Sequence, residues 1–214
     1  MGQHIAIIDY GMGNLHSVAK AVEHVAAADD RITVSDDPTL LLAAERVVFP
    51  GQGAARDCMA AIDQHGLREA ILLAVGQKPF LGICRGQQVL MDWSEENDGT
   101  DLLGHFPGQV RHLGRPLGTN DQPLKIPHMG WNQVRQTRPH PVWEGIPDRT
   151  RFYFVHSFVV IPDDTALIAG ETDYGPPFVS AMAQKNLFAV QFHPEKSADA
   201  GLRLLRNFLV WKPT

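Results

Sequence analysis

Apolar positions along the chain fall into short blocks of two alternating kinds. "HIAIID" (4–9), "RITVS" (31–35), "RVVFP" (46–50) and "PFLGI" (79–83) are brief runs rich in β-branched residues, and they predict four strands. After the first of them Leu15, Val18, Ala19, Val22 and Val25 recur at helical spacing. Between the third and fourth, Met59, Ile62, Leu67, Ile71 and Val75 form a helical stripe over 54–75 that breaks at Gly66. A further helix is predicted over 87–93. Uniformly apolar strands alternating with helices predict a parallel sheet covered on both faces.

After residue 100 the texture changes. Gly and Pro become frequent, and strand-like pieces follow one another without long helices: "GQVRHL", "WNQVR", "RFYFVHSFVV", "TALIAG", "PFVSAMAQ" and "LFAVQFH". They predict a mostly antiparallel extension of the same sheet, or a second sheet packed on it. Leu202, Leu205, Phe208 and Leu209 then mark a closing amphipathic helix. No repeat, low-complexity segment or linker interrupts the pattern, so residues 1–214 read as one α/β domain with a mostly parallel central sheet.

Composition narrows the function classes. The 214 residues suffice for one sizeable core. A net charge of −5 without any basic run gives no reason to expect a nucleic-acid partner. Two cysteines do not make a disulfide framework and suit a reducing compartment. "MGQHIAIIDYG" lacks the basic and long apolar segments of a secretory signal, and Ala6 stands where a myristoylation pattern needs Ser or Thr. No apolar run reaches membrane-spanning length, so a cytoplasmic protein is expected. "YGMGN" has Gly-x-Gly without a third glycine, and there is no Walker loop. No cofactor and no metal site is expected.

The chemistry concentrates in "PFLGICRGQQ". Cys84 ends a predicted strand between Gly82 and Gly86, in the frame of a nucleophile elbow, where a strained strand-to-helix turn presents a side chain. The two glycines remove Cβ atoms that would clash in such a turn, and a helix N-terminus behind the thiol would lower its pKa. The alternative is a buried cysteine that only packs, which is the reading for Cys58. A thiol nucleophile needs a base, and the base needs an orienting group. In "LFAVQFHPEKS", His193 and Glu195 would share one face of a strand about 7 Å apart, so that the carboxylate fixes the imidazole tautomer. In "VVFPGQGAA" a strand ends in Gly51-Gln52-Gly53, either a plain turn or a loop whose N–H groups, with the Arg85 amide, bind an oxyanion.

"PGQGA", "GICRGQQ" and "QFHPEKS" together resemble the class I (triad) glutamine amidotransferases. "DYGMGNLHSV", "PHMGWN" and "YFVHSF" bring the resemblance closer to those members that serve histidine biosynthesis, and it runs from Ile7 to Phe208. It implies a flavodoxin-like fold and a glutaminase in which Cys84 attacks the γ-amide carbon of glutamine, His193 moves the protons and Glu195 orients it. It implies an oxyanion hole from the backbone of Gln52 and Arg85. Gly51, Gly53, Gln88, Glu96 and the backbone of His156, Ser157 and Phe158 would bind the glutamine. It further implies a HisF-type (β/α)8 synthase subunit as partner, which receives the ammonia and forms imidazole glycerol phosphate and AICAR. Asn14, Met129, Trp131 and Lys196 would face that partner, with an ordinary core tryptophan as the alternative for Trp131.

Two positions depart from the family pattern: Arg85 replaces a commonly apolar residue, and Gln87 one that is often Met. Competing readings are a class I glutaminase subunit of another pathway, which would share the triad but not "PHMGWN", and a catalytically silent regulatory subunit. A free-standing cysteine hydrolase would need its own specificity pocket, and the exposed features of the 120s loop argue against it.

Overall fold

A computed structural model describes residues 2–114 and 124–213, so part of the 120s loop lies outside the described residues. The first half comprises β1 (His4–Ile8), α1 (Leu15–Val25), β2 (Arg31–Ser35), α2 (Pro38–Ala43), β3 (Arg46–Gly51), α3 (Ala55–Gln64), α4 (Arg68–Gln77), β4 (Phe80–Cys84) and the one-turn helix α5 (Arg85–Gln88). Then come β5 (Met91–Ser94), β6 (Thr100–Asp101), β7 (Phe106–His112), β8 (His128–Gln136), β9 (Thr150–His156), β10 (Phe158–Pro162), β11 (Ile168–Asp173), β12 (Pro177–Gln184), β13 (Leu187–Val190) and α6 (Ala198–Val210).

The central sheet runs β2-β1-β3-β4-β13, all parallel. Strand alternation divides its side chains between two cores. Ile5, Ile7, Val48, Leu81 and Ile83 face α1 and α6, whereas Ala6, Ile8, Val47, Phe49 and Phe80 face α3 and α4. Both faces are thus dry over β3, β4 and β13, which are buried along their whole lengths and almost wholly apolar, whereas the edge strand β2 is partly exposed and carries Arg31, Thr33 and Ser35. Gly66, at φ 64°, separates α3 from α4 where the helical stripe breaks.

β12 joins this sheet to its antiparallel extension. It pairs with β13 through Ala181–Gln184 and with β10 at Val179, while β11 lies along its other edge. From β10 the path continues through β7, β5 and β6; from β11 a branch leads to β8 and β9. The extension is therefore continuous with the parallel sheet.

Several elements differ from the sequence expectation. The helix expected over 87–93 stops at Gln88, and Met91–Ser94 is strand β5. A run this short has no decisive period. Long-range pairing wins, because the amides of Leu103, Gly104 and Phe106 bond back to the carbonyls of Val89, Met91 and Leu90. "RFYFVHSFVV" divides at Ser157 into β9 and β10, and "TALIAG" opens with a 3-10 turn, Thr165–Leu167. Helix α2 is additional; its signal was Asp37-Pro38, where the Asp37 carboxylate accepts from Thr39 N at 2.8 Å.

The carboxyl ends of β3, β4 and β13 meet at one edge, the position where ligands bind in open α/β sheets. There the backbone of α5 presses on β3: a Cβ on Gly86 would lie 1.8 Å from the Phe49 carbonyl oxygen. On Gly76, within α4, a Cβ meets nothing within 4 Å. Gly86→Ala is expected to lower the melting temperature severely or abolish soluble folding, whereas Gly76→Ala should stabilise by about 0.5–1 kcal/mol. Equal melting temperatures for the two variants would contradict the close approach.

Candidate active site

Strand β4 is buried along its whole length and delivers Cys84 to the sheet edge at φ 55°, ψ −107°. A non-glycine residue held there stores roughly 1–3 kcal/mol of strain, and persists only where its surroundings enforce it. Here they do. A Cβ on Gly82 would lie 2.9 Å from the Gly86 carbonyl oxygen, and one on Gly51 would lie 2.3 Å from the Tyr10 hydroxyl. Glycine at 51, 82 and 86 lets three backbone segments touch, and the turn between them points the thiol into a pocket. Gln52, Gly53, Arg85, Gln88, Val155, His156, Ser157, Phe158, His193 and Lys196 line that pocket.

His193 reaches the pocket by a different route from the one expected. Strand β13 ends at Val190, and His193 caps a 3-10 turn, Pro194–Lys196. His193 and Glu195 therefore do not share a strand face; the tight turn after Pro194 brings His193 Nδ1 within 2.8 Å of Glu195 Oε1. Ser197 fixes this turn, since its hydroxyl donates to the His193 carbonyl at 2.6 Å and accepts from Tyr153 N at 2.9 Å. With Nδ1 taken by the carboxylate, the buried Nε2 is the nitrogen left for the thiol.

Electrostatics complete the pair. Burial pushes the Cys84 thiol up, but the His193 imidazole, followed by Arg85, pulls it below its ordinary value. Burial pushes His193 down, but Cys84 and then Glu195 raise it to about 10. The two groups thus favour each other's charged forms, thiolate and imidazolium. Helix α5, at four residues, has little macrodipole, so neighbouring side chains replace the expected helix N-terminus as the cause of the thiol's acidity.

Behind the pair lies a network of amides. Gln191, wholly buried, directs Nε2 to Cys84 Sγ at 3.6 Å, and its Oε1 accepts from Gln88 Nε2 at 2.7 Å. Gln88 Nε2 also donates to the Phe158 carbonyl at 2.9 Å. Gln191 was not singled out in the sequence; its signal was a polar amide inside the apolar run "LFAVQF". His156 donates from Nδ1 to the Phe158 carbonyl at 3.0 Å, and burial pushes it down to about 3, so it stays neutral.

The loop after β3 is held by its carbonyls. Gln52 O accepts from the Cys58 thiol at 3.2 Å, and Gly53 O accepts from Arg85 Nε at 3.0 Å and from a terminal guanidinium nitrogen at 2.6 Å. Burial pushes Cys58 up to about 11, which keeps it a neutral donor; it does more than pack. Glu96 and Gly51 do not line the pocket. Glu96 pairs with Arg85 at 2.9 Å and lines an adjoining pocket that shares Phe158 with this one.

Of the residues expected to face a partner, Met129 and Trp131 are 61% and 50% exposed, so Trp131 is not a core residue. Trp131 meets the edge of Tyr153, and the Lys196 ammonium lies 5.9 Å from the Tyr153 ring. Lys196 also lines the pocket, which links the two surfaces. Asn14 opens α1 directly after Gly13, which sits beside Gly51. Among the described residues no group of three or more His, Cys, Asp or Glu side chains could hold a metal ion. No helix among them is long and apolar enough to cross a membrane.

A strained cysteine at the end of a parallel strand, with a carboxylate-bound histidine beside it, is the arrangement of a triad acyl transferase on an α/β sheet. The model of the glutamine amidotransferase class-I family matches residues 6–211, and the chain belongs to that family. Individual relatives are more specific. Imidazole glycerol phosphate synthase subunit HisH of Aromatoleum aromaticum is 58% identical, covering 98% of this chain and 99% of that one. The HisH subunit of Thiobacillus denitrificans is 56% identical, covering 100% and 93%. Among solved structures, PurLQS from Thermotoga maritima matches with a TM-score of 0.73 at 16% identity, covering 98% of each chain, a likeness of fold alone.

The mutual shift of Cys84 and His193 makes a direct prediction. Alkylation of Cys84 by iodoacetamide, followed on its peptide by mass spectrometry, should persist to lower pH than that of an ordinary thiol. In His193→Ala, burial is no longer opposed by the imidazolium, and the profile should shift to higher pH. Superimposable profiles would contradict the pair.

Proposed function

We infer that this chain is the glutaminase subunit of an imidazole glycerol phosphate synthase in histidine biosynthesis, with residues 1–214 forming one glutamine amidotransferase domain. The observation that carries the chemistry is the Cys84–His193–Glu195 set, with a strained thiol, an imidazole raised to about 10 and a carboxylate at 2.8 Å. The identity of the relatives supports the pathway.

The reaction follows from the geometry. The Cys84 thiolate adds to the γ-amide carbon of glutamine, and the amide oxygen becomes an oxyanion received by the backbone N–H groups of Gln52 and Arg85. His193, already imidazolium, gives its Nε2 proton to the departing nitrogen, which leaves as ammonia. A glutamyl thioester remains on Cys84. His193, now neutral, takes a proton from water; the hydroxide adds to the thioester carbon, glutamate leaves and the thiolate–imidazolium pair returns. Glu195 holds the ring throughout. Gln88 and the 156–158 backbone supply the polar groups that orient the substrate, with Gly51, Gly53 and Glu96 acting through the loop they shape.

Ammonia released into water would be protonated and lost as a nucleophile. The partner is therefore a HisF-type (β/α)8 barrel docked on the surface that contains Met129, Trp131 and Lys196, next to Asn14. The barrel receives the ammonia and yields imidazole glycerol phosphate and AICAR, and the complex acts in the cytoplasm. Exposed Met129 and Trp131 beside the pocket support this placement.

Glutamate release from glutamine tests the reading, for the chain alone and with a HisF barrel plus its ribonucleotide substrate. Strong stimulation by the barrel is expected, with loss of at least about a thousandfold in Cys84→Ala. High activity alone with no response to the barrel would reject the partner. Unchanged activity in Cys84→Ala would reject the nucleophile.

A further inference from the structure

Gln191 stands two residues before His193 and is wholly buried, with its side chain against the nucleophile. The hydrogen bonds around it decide which end of its amide meets the sulfur. A guanidinium carries donors only, so the Gln88 atom 2.6 Å from Arg85 Nη1 is the amide oxygen. A main-chain carbonyl only accepts, so the Gln88 atom 2.9 Å from the Phe158 oxygen is the amide nitrogen. These two contacts lock Gln88 in one orientation. The same nitrogen lies 2.7 Å from Gln191, which must present its oxygen there. The nitrogen of Gln191 is then left for Cys84 Sγ, at 3.6 Å.

Every link of this chain points the same way, from the Arg85 cation through two amides to the sulfur, and aligned hydrogen bonds polarise one another. A donor aimed at the sulfur favours the thiolate over the thiol. The site has need of one, because burial penalises the sulfur's charge. The backbone gives Gln191 little room to turn away. Its N–H donates to the Ser180 carbonyl at 2.9 Å, and the His193 N–H donates to the Tyr153 carbonyl at 2.9 Å. One pinned segment thus brings an imidazole and an amide to the same thiol.

We propose that Gln191 is a catalytic residue whose amide N–H donates to the Cys84 sulfur and holds its negative charge, with Gln88 as the positioning residue that fixes the direction of that amide. The role in turnover rests on the glutaminase reading above; the hydrogen bond to sulfur does not. In that reaction the sulfur carries the charge twice. It does so as the attacking thiolate, and again when the C–S bond of the thioester breaks and its electron pair returns to sulfur. The oxyanion hole serves the oxygen of the same intermediate, so the two sets of donors are separate.

The test compares full-length wild type, Gln191→Met and Gln88→Met. Methionine keeps the unbranched shape of glutamine without its amide. The first readout is the pH profile of iodoacetamide alkylation on the Cys84 peptide, without glutamine. Gln191→Met should move the profile up by about one pH unit, which is about tenfold less thiolate at a given pH on its rising limb. Gln88→Met should move it the same way by less, because Gln88 acts on the sulfur through Gln191, and it serves as the test if Gln191→Met does not fold. The ionisable groups facing the thiol are His193 and Glu195, Arg85 from α5, His156 from β9, Lys196 and, beyond β1, Tyr10. None of them changes in these variants. The second readout is glutamate release with the barrel and its ribonucleotide, where Gln191→Met should lose about tenfold in kcat with KM little changed. A wild-type alkylation profile in the folded variant would overturn the hydrogen bond to sulfur. A raised KM at unchanged kcat in Gln191→Met would overturn the catalytic role, because Gln191 would then be a substrate contact. Wild-type chain inert even with the barrel and ribonucleotide would instead refute the glutaminase reading, while the alkylation profiles still decide the hydrogen bond.

Discussion

The constraint on which the site depends is the contact of backbone against backbone where β3, β4 and α5 converge. Glycine at 51, 82 and 86 removes the atoms that would hold these segments apart, and the contact leaves Cys84 no conformation but a strained one. Strain of this size is affordable because the two cores on either face of the parallel sheet fix both strands independently of the turn. Everything else at the site is arranged around a thiol whose position the chain cannot relax. That includes the amides of Gln88 and Gln191, the histidine turn, and the loop held by Cys58 and Arg85.

Charge is the second layer. Two cations, His193 and Arg85, flank a thiol that burial alone would have made inert, and each cation has its own carboxylate, Glu195 and Glu96. The two pairs do different work. Glu195 holds an imidazole at a fixed tautomer beside the reacting atoms, while Glu96 holds a guanidinium that ties down backbone. Because the second pair is specific to an arginine at position 85, this chain's loop is gripped more firmly than an apolar residue there would allow.

Much of this was legible in the amino-acid sequence, for identifiable reasons. The four parallel strands and the helices around them follow from local apolar runs, and the elbow follows from the Gly-x-Cys-x-Gly frame. The His193–Glu195 pair was visible from a two-residue spacing, although a 3-10 turn after Pro194 brings them together and not a strand. What the sequence did not disclose depends on distant partners. Gln191 meets Cys84 across 107 positions, and nothing local in "AVQFH" says that its amide turns towards the thiol. The branching of the sheet at β12 is likewise a product of register between separated strands, and the Arg85–Glu96 pair joins α5 to a 3-10 turn beyond β5. The strand at Met91–Ser94 was misread as helix because its pairing with the 102–106 segment and β7 outweighs a short apolar run.

In the proposed reaction Cys84, and no other group, carries the glutamyl intermediate. The test is to mix the chain and the proposed barrel partner with glutamine, quench in acid and map the peptides by mass spectrometry. A glutamyl adduct on the Cys84 peptide, absent without glutamine and accumulating at low pH where deacylation by His193 is slowed, is the predicted result. An unmodified Cys84 peptide during active turnover, or the adduct on Cys58, would contradict the account.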